Sequence, residues 1–327
     1  MTAKEPDISV NLAGILLRNP VIAASGTFGY GREYEGLLDI AALGGICTKG
    51  LTLNPRPGNS GRRIHETPSG MMNSIGLENP GIEAFIEKEL PRLRGLGPAV
   101  IANLSGGTEE EYVEGARLLN ASVVDMIELN ISCPNVKAGG MAFGLDPQAA
   151  ASVTGKVRRA APDKPLMVKL TPNAPDLISV AAACISAGAD ALSLVNTFKA
   201  MAIDIYKRKL VFDNVFAGLS GPCIRPIALR MVWELTGTFA SGGANVPGAF
   251  FSTEKKANSC GKIPVVGMGG IASVSDALEF LLAGAAAIQV GSATFAHPPL
   301  MNEIIAGIGN YMREKGFVRI GELAIHN

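Results

Sequence analysis

Eight short apolar runs recur along the chain, and each gives way to a segment whose apolar residues fall at helical spacing. The runs are PVIAAS from Pro20, GGICTK from Gly44, AVIANL from Ala99, MIELNI from Met126, PLMVKL from Pro165, DALSLVN from Asp190, IPVVGM from Ile263 and AAIQVGS from Ala286. Continuous rather than alternating apolarity marks strands buried on both faces, as in a parallel sheet. The segments between them predict helices over Pro80 to Leu93, Thr108 to Leu119, Pro147 to Arg159 and Ser273 to Ala283, with Thr108 and Glu111 spaced as a capping box. Parallel strands need helical crossovers, and eight such units close into an α/β fold, the (β/α)8 TIM barrel, which suits a chain of this length. An open doubly wound sheet is the other architecture the pattern permits. The barrel is the expectation, with 1–327 as one domain.

Four stretches depart from the repeat. Residues 8 to 18, ISVNLAGILLR, turn at Asn11 to Gly14 and predict an N-terminal hairpin that caps one end of the barrel. The insertions Leu51 to Gly76 and Thr197 to Gly221 leave the carboxyl ends of the second and sixth strands, where such barrels hold their sites, and predict a lid or wall over that face. The last, Thr236 to Lys262, joins a helix back to the seventh strand and so belongs to the opposite face. Its 27 residues far exceed the roughly 2–6 usual for such a link, which makes it a mobile loop or a contact surface; the reading favours mobile.

Composition narrows the function classes. Lys and Arg number 29 against 29 Asp and Glu, with no basic block and 6% aromatics, which excludes an electrostatic footprint for nucleic acid. The five cysteines are widely spaced and the histidines number three, so neither a disulfide framework nor a metal site is indicated. The N-terminus lacks a signal-type apolar segment and no run suits a membrane span, so the expected location is the cytoplasm.

The predicted strands close on Ser25, Lys49, Asn103, Asn130, Lys169, Asn196, Gly269 with Gly270, and Gly291 with Ser292. Polar residues at successive carboxyl ends of apolar strands converge on one cavity. The loops GMGGI from Gly267 and VGSAT from Val290 follow the seventh and eighth strands, the usual phosphate-binding place in these barrels; tight turns without a ligand are the alternative. Lys49 and Lys169 need a counter-charge, either an anionic ligand or a neighbouring carboxylate. A flavin mononucleotide suits the glycine loops and the lysines together, because a cation stabilises the reduced ring anion. Asn73, Asn130 and Asn196 offer donors and acceptors that match the edges of a pyrimidine. Cys133 follows the strand of Met126 on a Pro- and Gly-rich loop, where it is either an inert thiol or a reactive one.

On these residues the chain resembles the class 1 dihydroorotate dehydrogenases, and within them the NAD-linked subclass 1B. The motifs are ASGTFGYGREY from Ala24, TKGLTLNPRPGN from Thr48, ETPSGMMNSIGLENPG from Glu66, ELNISCPNVKAGGMAFG from Glu128, VKLTPN from Val168, VNTFKAMAID from Val195, GLSGPCIRPIALRMV from Gly218, VVGMGGI and VGSATF. The resemblance implies oxidation of dihydroorotate to orotate in pyrimidine biosynthesis, with Cys133 as the base taking the C5 proton while hydride leaves C6 for FMN. It implies that Lys49, Asn73, Ser74, Ile75, Gly76, Leu77, Asn130, Asn196 and Thr197 hold the pyrimidine. It further implies that Ser25, Lys49, Gly50, Asn103, Asn130, Lys169, Val195, Gly221, Gly269, Gly270, Gly291 and Ser292 hold one FMN per chain. The implied partner is a separate subunit carrying FAD and an iron–sulfur cluster that passes electrons to NAD, on a homodimer core, making a heterotetramer.

Other readings stand beside this one. The fumarate-linked subclass 1A is the alternative within class 1, although the longer VKAGGMAFG loop looks like the NAD-linked subclass. A dihydropyrimidine dehydrogenase-type enzyme shares the cysteine loop, but PNVK rather than a histidine follows the cysteine here. A non-catalytic flavin-binding barrel would carry the same fold without turnover. The stretch after Trp233 is longer than the family's link to the seventh strand.

Overall fold

The computed structural model describes residues 5–132, 143–240 and 263–325. The chain begins with a hairpin of β1 (Val10–Leu12) and β2 (Ile15–Leu17), whose turn is held by the Gly14 N–H donating to Asn11 Oδ1. Strands β3 (Val21–Ala23) and β4 (Gly45–Cys47) follow, and then an insertion that folds as the antiparallel pair β5 (Ile64–Thr67) and β6 (Gly70–Asn73). The predicted helix over 80–93 is α1 (Ile82–Ala84), a π-turn over Phe85–Glu89 and α2 (Leu90–Leu96) in succession.

The repeat then runs β7 (Ala99–Leu104), α3 (Glu109–Asn120), β8 (Met126–Asn130), α4 (Pro147–Ala160), β9 (Leu166–Lys169), α5 (Leu177–Ser186) and β10 (Ala191–Leu194). The second insertion carries β11 (Phe198–Ala200), β12 (Ile203–Asp204), β13 (Lys209–Leu210) and β14 (Ala217–Ser220). After α6 (Arg225–Ala240) come β15 (Val265–Met268), α7 (Val274–Leu282), β16 (Ala287–Val290), α8 (Ala293–Ala296) and α9 (Leu300–Lys315).

Strands β3, β4, β7, β8, β9, β10, β15 and β16 form a closed parallel barrel, one strand for each apolar run. The fold is a (β/α)8 TIM barrel. Helix starts follow the local chemistry: Thr108, Asp146, Asp176 and Ser273 each cap a backbone N–H three residues on. The capping box at α3 is altered, since Glu111 Oε2 receives the N–H of Gly107 rather than that of Thr108.

Side chains alternate along each barrel strand. One set, including Ile46, Val100, Ile127, Leu129, Val168 and Leu192, packs outward into the main core beneath the helices. The other set points inward, and its lower layer of Ile22, Ile101, Met126, Met167, Val266 and Ala287 packs against Val10, Leu12 and Leu17 of the hairpin. The hairpin therefore plugs the amino-terminal end of the barrel, as the sequence predicts. The two insertions join at the other end in one four-stranded antiparallel sheet, ordered β11-β14-β6-β5, and the expected wall is this sheet. The sequence reading starts the long link to the seventh strand at Thr236, but α6 continues to Ala240, with the Thr236 hydroxyl donating to Ala283 O at 2.6 Å. The rest of that link, 241–262, lies outside the described residues.

Candidate active site at the carboxyl ends of the barrel strands

A cavity of about 630 Å³ opens at the carboxyl ends of the barrel strands, between the barrel mouth and the insertion sheet. Ser25, Lys49, Gly50, Asn103, Asn130, Lys169, Val195, Asn196, Thr197, Gly221, Gly269, Gly270, Gly291 and Ser292 all line it. So does the segment from Asn73 to Leu77. These are the residues that sequence reasoning singled out, with the exception of Cys133, which lies outside the described residues.

On the wall, Asn73 closes β6 and its Nδ2 donates to Gly218 O of β14 at 3.2 Å, in a register that pairs the same two residues. Asn59 holds the next residues, donating from Nδ2 to Ser74 O and Oγ and from its backbone N–H to Ile75 O. Gly76 follows with φ +78°, and a Cβ there would stand 2.4 Å from Asn59 Oδ1, so the tight passage requires glycine.

On the barrel side, the amides interlock. Asn196 Nδ2 donates to Ser132 Oγ at 2.9 Å, Ser132 Oγ donates to Asn130 Oδ1 at 2.8 Å, and Asn130 Nδ2 donates to Ser105 Oγ at 3.2 Å. The buried Tyr112 hydroxyl donates to Asn130 O at 2.7 Å, tying helix α3 to the strand end.

The glycine loops present bare backbone. Gly269 and Gly270 have φ of +121° and +78°, and Cβ atoms there would meet Ala228 and Val195 at 2.9 Å and Arg225 Cβ at 2.7 Å. No hydrogen bond satisfies the N–H groups of Gly269, Gly270, Gly291 or Ser292 among the described residues. Four free donors at adjacent strand ends form a cradle for an oxyanion.

The two lysines differ. Lys49 forms no ion pair within 4.0 Å among the described residues, and desolvation lowers its pKa, with Glu78 opposing. Lys169, by contrast, already has a counter-charge: its Nζ lies 3.7 Å from Glu128 Oε2. Of the two explanations open for each lysine, the neighbouring carboxylate holds for Lys169. Lys49 keeps the need for an anion.

The sequence profile of the family described as "Dihydroorotate dehydrogenase" matches residues 7–242 and 253–312. The chain belongs to the dihydroorotate dehydrogenase family. It is 51% identical over 317 residues, 97% of this chain and 98% of the relative, to the dihydroorotate dehydrogenase B (NAD(+)) catalytic subunit of Petrotoga mobilis. The proteins of the same name from Geotalea daltonii and Geobacter sulfurreducens are 50% and 49% identical, each over 98% of this chain and 97% or 98% of the relative.

In this dihydroorotate dehydrogenase family member the structure adds residues that the sequence reading passed over. Glu128 is fully buried, and it receives Asn103 Nδ2 at 2.5 Å, Gln289 Nε2 at 2.7 Å, Ser193 Oγ at 2.8 Å and the Cys47 thiol at 3.1 Å. Burial pushes its carboxyl up, but the Lys169 ammonium and the hydrogen bonds from Cys47, Ser193 and Gln289 outweigh it, holding Glu128 below the usual range. The Cys47 thiol is pushed far up by burial and by Glu128 beside it, so it stays a neutral donor. The available signal was a charged residue inside a buried strand, in MIELN. Ser132 and Lys199 also line the cavity, with Lys199 Nζ 3.9 Å above the Phe216 ring.

Proposed function

We propose that this protein is the catalytic subunit that oxidises dihydroorotate to orotate in pyrimidine biosynthesis, with FMN as its bound cofactor and NAD as the final acceptor. The observation that carries the reading is the single cavity in which a glycine cradle, two lysines and the amides of Asn73, Asn130 and Asn196 meet. The relatives named above are NAD-linked catalytic subunits, which supports the same assignment.

The residues present fit FMN. The N–H groups of Gly269, Gly270, Gly291 and Ser292, unpaired among the described residues, suit its phosphate, and Lys169 supplies a cation at the barrel mouth. When bound, the flavin supplies the two-electron acceptor for the C6 hydride. Ser25, Gly50, Asn103, Val195 and Gly221 complete its binding set. Asn73 to Leu77, Asn130, Asn196 and Thr197 orient the pyrimidine, and Lys49, short of a counter-charge, takes the substrate carboxylate. Cys133 removes the C5 proton, so loss of that proton and of hydride leaves the C5–C6 double bond of orotate. A separate subunit with FAD and an iron–sulfur cluster, docked on a homodimer of this chain, carries the electrons to NAD.

The test is anaerobic. The purified chain should be yellow, and dihydroorotate alone should bleach its flavin absorbance, whereas dihydrouracil should not and NADH should act only when the electron-transfer subunit is added. Bleaching by dihydrouracil would move the assignment to the dihydropyrimidine class, and turnover with fumarate alone would move it to subclass 1A. A yellow protein that none of them bleaches would leave a flavin-binding barrel without turnover.

A further inference from the structure

Above the apolar lower layer, the inside of the barrel carries a polar layer centred on Glu128, and the proposed reaction gives this carboxylate no part. An ionised carboxylate only accepts hydrogen bonds, so every partner turns a donor toward it. For an amide this decides which end is left over. Asn103 gives Nδ2 to Glu128 Oε2 and Gln289 gives Nε2 to Glu128 Oε1, which leaves the oxygen of each amide free of that contact. Asn103 Oδ1 still receives Ser105 Oγ at 3.5 Å. Gln289 Oε1 is different: it is buried and has no hydrogen-bond partner among the described residues, on a residue that is 1% exposed and lines the cavity.

The amide has no comfortable alternative. Turning it over would set Gln289 Oε1 against Glu128 Oε1, two acceptors at the 2.7 Å now spanned by a donor. A buried acceptor without a partner is destabilising. Only an N–H or O–H donor relieves it, whereas a phosphate or carboxylate oxygen would be repelled.

We propose that Gln289 is a cofactor-contacting residue, its side-chain carbonyl accepting a hydrogen bond from an N–H of the flavin ring, and that Glu128 is the positioning residue that keeps this oxygen free. The inference rests on the flavin reading and adds to it one contact and its support. It also divides the site by chemistry. Bare backbone donors of the glycine loops meet the anionic phosphate, while the acceptor on β16 meets the ring.

FMN is removed from the purified chain and titrated back, with the quenching of its fluorescence giving Kd and a melting temperature recorded for each variant. Gln289→Leu should raise Kd about tenfold, as expected for one buried hydrogen bond. Ser193→Ala removes another donor to Glu128 from a residue outside the cavity lining; it should lower the melting temperature and leave Kd within about twofold. Glu128→Gln should raise Kd and also shift the flavin midpoint potential upward, because Lys169 loses its counter-charge and the reduced anion is favoured. Should Gln289→Leu fail to fold, Gln289→Met, which is closer in shape and also lacks the acceptor, decides by its Kd. Unaltered Kd in Gln289→Leu, equal weakening in Ser193→Ala, or an unaltered Kd in Glu128→Gln would overturn the assignment. A wild-type chain that takes up no FMN would remove the flavin reading and this inference together; wild-type uptake with unaffected variants would remove the inference alone.

Discussion

Glu128 and Lys169 form a buried pair whose members need each other. Removing one charge of such a pair is destabilising by roughly 3–5 kcal/mol, because the survivor stays buried without compensation. The pair also sets a pH dependence. The Glu128 carboxyl is held below its unfolded value of about 4.3, so its contribution is complete above that value and is lost as pH falls through the folded one. Thermal unfolding from pH 7 to 3 should therefore show a flatter acid limb for Glu128→Gln on a lower neutral plateau. Superimposed acid limbs would place the acid loss elsewhere. Cys133 lends itself to a separate test. Cys133→Ser should keep FMN bound but slow anaerobic flavin reduction by about 10²–10⁴-fold, the usual contribution of a positioned base. A reduction rate equal to wild type would remove Cys133 from the chemistry.

At the scale of elements, the wall over the site depends on close backbone approach. Strands β6 and β14 pair with Asn73 opposite Gly218, and β14 packs so near Thr197 that a Cβ on Gly218 would lie 2.2 Å from Thr197 Oγ1. Gly218→Ala must push β14 away from Thr197 inside the second insertion, and so shift both Thr197 and the Asn73 side chain that is bonded to Gly218 O. The glycine cradle belongs to β15, β16 and the loops after them, which this change does not touch. KM for dihydroorotate should rise about tenfold, the effect of misplacing one or two hydrogen-bonding groups, while flavin content per chain stays at the wild-type value. Loss of flavin together with substrate affinity would contradict the division between wall and cradle.

Across the whole molecule, the hairpin plug and the proposed site occupy opposite ends of the barrel. Leu12 is fully buried in the hairpin plug against the lower inward layer, far along the strands from the cavity lining. Leu12→Ala should cost about 2–5 kcal/mol by opening a hole in that packing. The melting temperature should fall while Kd for FMN holds. A parallel loss of FMN affinity would mean that the plug and the mouth are coupled through the strands. Among the described residues no helix is long and apolar enough to cross a membrane.

The barrel was legible because its signals are local. Each strand shows as a continuous apolar run, and caps such as Thr108 and Ser273 mark helix starts within a few residues of what they bond. Lys49, Asn103, Asn130 and Asn196 could be found for the same reason, since they stand where apolar runs end. Tertiary structure alone decided the rest. Glu128 reads as one charge in a strand, and its partners Asn103, Ser193, Cys47 and Gln289 are 25, 65, 81 and 161 positions away, so no spacing announces them. Closure of the barrel is what puts these inward-facing residues in one layer. The insertion sheet is hidden likewise, because Asn73 and Gly218 pair across 145 positions of chain. Periodicity reports which face of a segment is buried; which segments then share that interior is settled only when the strands close on one another.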